Sequence, residues 1–331
     1  MRAVTFNFNE KIFKFQENAK VPKAGKGDAL IKVKAASINP VEMNHALWSS
    51  MVEEGKRDEF VMGVDVAGVI ETVDEEDSNG FKVGDRIVCH PWLVDGHGSF
   101  ADYCICRTKF LVKIPESVPF EHAAVTPVAG WTAYKSIMVK MRVQENSSIV
   151  ITGGNGGLGG YGLQLARMCG CSPIIATCSP SSNTRVMQLG ATHCIDYRSE
   201  DIAGQISSIV GTDGVDYIID GIGGDSAKSL CSTLAFDGHI ACVAGVMPRD
   251  KSEPYFKGIT VHDISLAPCA YLGKQRSTSL WCEIGNSMMT LLAEGKIDPM
   301  IGRSISLEEV AATMNTKHSA NGKTVVIVDQ R

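Results

Sequence analysis

A chain of 331 residues with 44% hydrophobic and 21% charged side chains has the balance of a soluble globular protein and the length for two domains of ordinary size. Its formal net charge of −5 and the lack of any long basic run speak against a nucleic-acid partner. No stretch nears the ~18 consecutive apolar residues that a spanning helix needs, so no membrane role is expected. The opening MRAVTFNF runs straight into alternating strand-like residues without the apolar core of a signal peptide. Eleven cysteines, an odd number dispersed over a large chain, fit a reducing compartment better than a disulfide framework, and a cytoplasmic location is expected.

The first third reads as β-rich. Ala29 to Ala35 alternates Leu30, Lys32 and Lys34 against Ile31 and Val33, the period of a half-buried strand. Val64 to Val73 is a second strand, and Gly68 inside it marks a bulge or a close backbone approach. The acidic run Asp74 to Asp77 reads as a solvated turn. Phe81 to Arg86 turns into the strand Ile87 to Cys89, and Gly96 and Gly98 precede a strand from Phe100 to Cys106. Short strands with turns at this spacing predict a compact barrel-like β domain.

Near Phe120 the texture changes to strands alternating with helical stretches. Ile149 to Ile151 is a short apolar run of the kind that makes a buried parallel strand. Gly153, Gly154, Gly156, Gly157, Gly159 and Gly160 follow, and from Leu163 apolar residues recur at helical spacing. Gly154, Gly156 and Gly159 fit G-x-G-x-x-G in the strand–turn–helix context that a dinucleotide site requires. There the early glycines allow a tight turn and let backbone N–H groups approach a pyrophosphate, and the last brings helix and strand together. Asn155, Gly156, Gly157 and Leu158 are the candidate contacts, a plain flexible loop being the alternative.

Further strands are predicted at Pro173 to Cys178, His193 to Tyr197, Val215 to Asp220 and His239 to Ala244, with a short helix ending at Gly190. Another strand lies near Ile259 to Ile264. This βαβ alternation predicts a mostly parallel, doubly wound sheet with helices on both faces. Helices from Leu280 to Glu294 and from Leu307 to Met314 and a closing strand, Thr324 to Val328, complete the chain, whose tail is expected to rejoin the first domain.

The order of short motifs resembles a known family. Ala36-Ser37-Ile38-Asn39-Pro40-Val41-Glu42, Met62 to Gly68, Phe81 to Ile87, Gly98 to Tyr103 and Thr126 to Tyr134 come before the glycine turn. Leu189-Gly190-Ala191, Asp220 to Gly224 and Gly322 to Val326 come after it. In this succession the chain is similar, over its whole length, to the medium-chain dehydrogenase/reductases of the zinc-independent, zeta-crystallin-like quinone oxidoreductase group. The resemblance implies an α/β fold: a GroES-like β-rich catalytic domain from residues 1–122 and 265–331, and a Rossmann NADPH-binding domain from 123–264.

Zinc-dependent relatives use a Cys, a Gly-His-Glu and a further Cys or Asp. Here Asn39 takes the first place, Gly63-Val64-Asp65 the second, and Thr126-Pro127-Val128 the third region, so no metal is expected. The C-x-C pairs Cys104/Cys106 and Cys169/Cys171 read as core thiols, and His90 and His97 as surface or loop histidines.

An NAD site usually carries an acid about 20 residues beyond the glycines. The corresponding stretch, Ser179-Pro180-Ser181-Ser182-Asn183-Thr184-Arg185, has none, and its hydroxyls with Arg185 could hold a 2′-phosphate, which predicts NADPH. Ser179, Ser182, Asn183 and Arg185 are the candidates, Arg185 alternatively lying on an exposed helix face. The resemblance places Tyr197 at the adenosine end and Thr126 near the nicotinamide. It places Gly221, Ile222, Ala244, Gly245 and Val246 on turns at the carboxyl ends of strands.

Without a Lewis acid, a quinone or an α,β-unsaturated carbonyl is the easier hydride acceptor, because the charge delocalises. The resemblance makes Asn39 the hydrogen-bond donor, with a turn residue before Pro40 as the alternative. Asn44 stands where many relatives have a Tyr, and His45 could supply the proton. Trp48, Met51 and Trp92 could line an apolar substrate pocket or pack in the core. The expected function is an NADPH-dependent, zinc-independent quinone oxidoreductase or enone reductase acting as a homodimer on a small molecule. Alternatives are an alcohol dehydrogenase or carbonyl reductase with an altered metal site, and a non-catalytic, crystallin-like NADPH-binding protein.

Overall fold

The computed structural model describes residues 1–52, 60–91, 96–245, 256–266, 275–316 and 321–329. The chain divides into two compact units, Met1–Val128 with Ala267–Arg331, and Ala129–Leu266. These divisions lie a few residues from the sequence-expected 122/123 and 264/265.

The first unit is the GroES-like β domain. It opens with a hairpin of β1 (Ala3–Asn7) and β2 (Ile12–Gln16). Next come β3 (Asp28–Ile38), β4 (Val66–Val73), β5 (Arg86–Cys89), β6 (Tyr103–Arg107) and β7 (Val112–Lys113). The predicted alternation of β3 is what sets its faces: Ile31 and Val33 are fully buried while Lys32 and Lys34 stay half-buried. Each such aliphatic side chain contributes roughly 1.5–3 kcal/mol on burial. Gly68 of β4 marks the expected close approach, since a Cβ there would lie 2.3 Å from the Lys32 carbonyl oxygen. β4 begins at Val66, not Val64, because Val64 and Asp65 are bonded elsewhere, as described below. β6 begins at Tyr103, not Phe100, because the Phe100 backbone is spent on Val4 and Met62.

The second unit is the Rossmann sheet. Its strands are β8 (Ile149–Ile151), β9 (Ile174–Cys178), β10 (His193–Asp196), β11 (Val215–Asp220), β12 (Leu234–Cys242) and β13 (Thr260–Asp263). They are parallel in the order β10-β9-β8-β11-β12-β13. β8 and β9 are buried throughout, which is why they read as unbroken apolar runs. Helices 157–168, 183–188, 202–210 and 225–231 connect the strands. β12 starts five residues before its predicted onset: Leu234 pairs with Val215, the register then shifts, and His239 pairs with Tyr217. The Asp237-Gly238 pair in that bulge hides the earlier pairing from a sequence pattern.

The chain then re-enters the first unit with a helix, Gln275–Ala293, and with β14 (Ile301–Ser306) and β15 (Lys323–Ile327). The first unit's main sheet runs β14-β15-β3-β4-β5-β7, and β6 pairs with β3. β15 lies between β14 and β3, so the closing strand is an interior one. β14 carries a mixed polar, glycine-containing sequence that gives no strand signal.

Candidate functional site

At the end of β8 the chain turns at Gly153, whose φ is +64°. A Cβ on Gly159 would lie 2.2 Å from the Gly153 carbonyl oxygen and 2.8 Å from the Gly154 Cα, so the helix 157–168 is seated directly on the turn. That helix starts at Gly156 with no side-chain cap, which leaves first-turn N–H groups and the positive end of the helix dipole for an anion. The turn is braced from the neighbouring strands. Gly153 N–H donates to the Thr177 hydroxyl at 3.1 Å, and Gly154 N–H donates to the Thr177 carbonyl at 2.9 Å.

Buried Asp220, at the end of β11, organises the next turn. Its carboxylate accepts from Gly223 N–H at 2.6 Å, the Ser226 hydroxyl at 2.9 Å and the Thr152 hydroxyl at 3.2 Å, and the Thr152 oxygen in turn accepts from Gly221 N–H at 2.8 Å. Thr152, Thr177 and Asp220 were not singled out from sequence. Their signal is a polar residue closing an otherwise apolar strand.

After β9, the Ser179 hydroxyl lies 3.1 Å from that of Ser181 and 2.9 Å from that of Ser182, a cluster of three hydroxyls with no carboxylate in the segment. Asn183 accepts from the Cys178 thiol at 3.3 Å, and Arg185 is half-buried in the helix 183–188. Asp196, the nearest acid in register, is bonded by Arg198 at 3.0 and 2.9 Å. Tyr197 is 57% exposed beside Arg198 just beyond β10, and Ile222 is 63% exposed. Ala244 and Gly245 are exposed after β12, and Val246 lies outside the described residues.

The glycine turn, the serine segment, Tyr197, Gly221, Ile222, Ala244 and Gly245 therefore all follow the carboxyl ends of parallel strands, where this architecture takes its ligand. A glycine cradle that a Cβ would fill, an uncapped helix start and an acid-free hydroxyl cluster fit a nicotinamide dinucleotide.

The first unit holds a different construction. Gly63, at φ +109°, packs where a Cβ would come within 2.4 Å of the Ser99 hydroxyl, and it delivers Val64 and Asp65 to a buried polar knot. Asp65 accepts from the Ser37 hydroxyl at 2.6 Å, the Asn39 side-chain amide at 2.8 Å and Val128 N–H at 2.9 Å. Lys323 reaches it because β15 pairs antiparallel with β3, Thr324 opposite Ile38. The Lys323 ammonium donates to the Asn39 side-chain oxygen at 2.6 Å and to the Ile38 carbonyl at 3.2 Å, and sits 3.7 Å from the Asp65 carboxylate. The Glu42 carboxylate accepts from Asn39 N–H at 2.8 Å and Val64 N–H at 2.9 Å, joining the turn after β3 to the Gly63 loop. Burial pushes its pKa up to about 8, and burial likewise lowers that of Lys323 against the pull of Asp65 and Glu42.

Asn39 is 1% exposed, and its amide is spent on Asp65, the Ser37 carbonyl and Lys323. Asn44 is exposed and its side chain caps the helix His45–Met51 by accepting from Leu47 N–H at 3.1 Å. His45 opens that helix; its side chain and that of Met51 lie outside what is described, as does Trp92. Trp48 is 7% exposed and donates its indole N–H to the Val41 carbonyl at 2.8 Å, tying the helix to the preceding turn. Thr126 is buried with its hydroxyl on the Ala123 carbonyl at 2.8 Å. Lys323 and Asp65 were missed as partners in the sequence; only strand register joins them.

The positions where a zinc site would stand hold a spent amide at Asn39 and an aliphatic side chain at Val64. Among the described residues no three His, Cys, Asp or Glu side chains gather to hold a metal ion. Cys104 and Cys106 are buried core thiols. The residues present do not fit a tetrahedral zinc.

Residues 25–116 match the model of the alcohol dehydrogenase GroES-like domain and residues 157–283 that of the zinc-binding dehydrogenases. The chain belongs to the medium-chain dehydrogenase/reductase family, in its quinone oxidoreductase group. Within this family it is 27% identical to a quinone oxidoreductase of Lama guanicoe, an alignment covering 96% of this chain and 94% of the relative. It is 32% identical over 228 residues to a trans-enoyl reductase of a Pyrenochaetopsis species, with 65% of this chain and 60% of the relative covered. A mycobacterial structure complexed with NADPH shares the fold, with a TM-score of 0.83, 21% identity and 99% of both chains covered. The medium-chain dehydrogenase/reductase assignment makes this an oxidoreductase with a nicotinamide cofactor. No described helix is long and apolar enough to cross a membrane.

Proposed function

We propose that this protein is a zinc-independent, NADPH-dependent oxidoreductase that passes hydride to a quinone or to the activated C=C bond of an enone or enal. The observation that carries this reading is the Asn39–Asp65–Lys323 knot, in which Asn39 and Asp65, from two of the zinc-ligand regions, are bonded to each other and to Lys323. The names of the relatives, quinone oxidoreductase and trans-enoyl reductase, favour the same acceptor class.

The bound nicotinamide supplies hydride; the chain supplies the rest. Asn155, Gly157 and Leu158 hold the pyrophosphate through backbone N–H groups on the turn that the glycines shape, and Ser179, Ser182, Asn183 and Arg185 take the 2′-phosphate, where no carboxylate repels it. Gly221, Ile222, Ala244 and Gly245 complete the cofactor wall, and Tyr197 covers the adenosine end. In the other unit the knot fixes Asn39 and the Gly63–Asp65 loop, so these act by position and not by donating to substrate. Thr126 lies two residues before Val128, which Asp65 holds. With no Lewis acid, acceptors that delocalise the arriving charge are the ones reduced. Action in the cytoplasm as a homodimer belongs to the same proposal; it rests on the odd number of cysteines dispersed along the chain and on β13 closing one side of its sheet.

Stopped-flow NADPH oxidation with a panel of quinones, enones, aldehydes and ketones, alongside elemental analysis, tests the proposal. Turnover of quinones or enones by metal-free protein is expected. Activity that a chelator abolishes, in protein carrying stoichiometric zinc, would sink it, and NADPH binding without oxidation would turn the reading to a cofactor-binding protein.

A further inference from the structure

Reduction by hydride leaves an enolate or hydroquinone anion that needs a proton. Around the Asn39 knot the polar side chains are held by one another and by the backbone. Both Glu42 oxygens accept backbone N–H groups, both Asp65 oxygens are bonded, and Lys323 has three oxygen partners. Asn44, which stands in the place of a phenol, caps a helix.

His90 differs. It follows β5 directly, and its Nδ1 is hydrogen-bonded to the Val64 carbonyl oxygen. A ring nitrogen facing a carbonyl must carry its proton, so the neutral ring is the Nδ1–H tautomer and Nε2 is the atom that gains and loses one. The ring packs on Trp281, centroids 5.7 Å apart, and the Trp281 indole N–H is fixed on the Phe110 carbonyl at 3.1 Å. Nε2 has no hydrogen-bond partner among the described residues, and His90 as a whole residue is partly exposed. Val64 thus has its N–H on Glu42 and its C=O on His90, so the imidazole is held against the same loop as the knot.

We propose that His90 is the proton donor of the reduction, an assignment that rests on the function proposed above. Hydride adds to the β-carbon of an enone, the π electrons move to the carbonyl oxygen, and the Nε2–H bond breaks as an O–H or Cα–H bond forms. The neutral imidazole then regains a proton from solvent. Burial lowers the imidazolium pKa, while Asp65, the charged group acting on the ring, and the Val64 carbonyl push it back up. Trp281 brings no charge. The donor form therefore gains on the acid side of neutrality.

His90→Asn keeps a side-chain N–H for the Val64 carbonyl but cannot titrate. The expected result is a fall in kcat of about 10²–10⁴-fold with KM for NADPH unchanged. Wild-type kcat should rise as pH falls toward the imidazole pKa and slow in deuterium oxide, and the variant should lose both responses. ¹⁵N NMR of imidazole in the cofactor-free protein should show an Nδ1–H tautomer titrating below the free histidine value, absent from the variant. A variant with wild-type kcat and pH profile would overturn the assignment alone, as would an Nε2–H tautomer at neutral pH. A wild-type protein inert toward every acceptor would overturn the proposed function with it. Should His90→Asn fail to fold, the wild-type isotope effect and tautomer decide.

Discussion

The two units build their sites from different materials. In the Rossmann unit the glycine turn is made of backbone, and its key contacts are a Gly159 Cα against the Gly153 carbonyl and an uncapped helix start. In the β unit the knot is made of side chains, namely Ser37, Asn39, Glu42, Asp65 and Lys323, gathered from three separate stretches of chain. A backbone site is damaged by adding an atom, whereas a charged side-chain site is damaged by removing a partner. The first also announces itself in sequence as a run of glycines, and the second is invisible until strands are paired.

The contrast can be broken most forcefully at Asp65. Asp65→Asn leaves the Lys323 ammonium buried without its counter-charge and should cost about 3–5 kcal/mol in urea unfolding, with Lys323→Met comparably harmful alone. The double variant should lose less than the sum, since neither charge is then stranded.

Next is the pH response of the same knot. The Glu42 carboxyl has a pKa of about 8, raised by burial above that of an unfolded chain, so folding favours its protonated form. Its stabilisation is complete below the unfolded value and is lost as pH rises through about 8. Denaturation midpoints should fall between pH 5 and pH 9, and Glu42→Gln should flatten that slope.

In the other unit the damage should run the opposite way. Gly159→Ala forces a Cβ onto the Gly153 carbonyl, costing about 1–3 kcal/mol of stability and weakening NADPH binding in calorimetry. The mildest change is Arg185→Ala, expected to weaken NADPH about tenfold, or ~1.4 kcal/mol, and to leave NADH unaffected. Equal losses for both cofactors would remove Arg185 from the 2′-phosphate site.

What could be read in advance follows the same division. β8 and β11 matched their predicted residues because central parallel strands are apolar throughout and bounded by glycine or polar residues. The Gly68 contact was anticipated because a glycine inside a strand implies a neighbour too close for a side chain. By contrast, Asn39 looked like a substrate donor while its partners stood 26 and 284 residues away in sequence. His90 read as a loop histidine for the same reason: its bond to Val64 and its contact with Trp281 are tertiary facts. Local periodicity encodes elements, and long-range register encodes the knot.

The interior position of β15 sets a timetable for synthesis. Residues 129–266 form a continuous unit that can collapse as soon as it leaves the ribosome. The β unit cannot, because β3, made early, must wait for β15 to slot between it and β14. Until then Asp65 lacks the Lys323 ammonium carried on β15, and the early half of the domain must be kept from aggregating with an unfilled edge. The nascent chain thus gains its Rossmann fold first, and its β unit is completed only once β15 has been made.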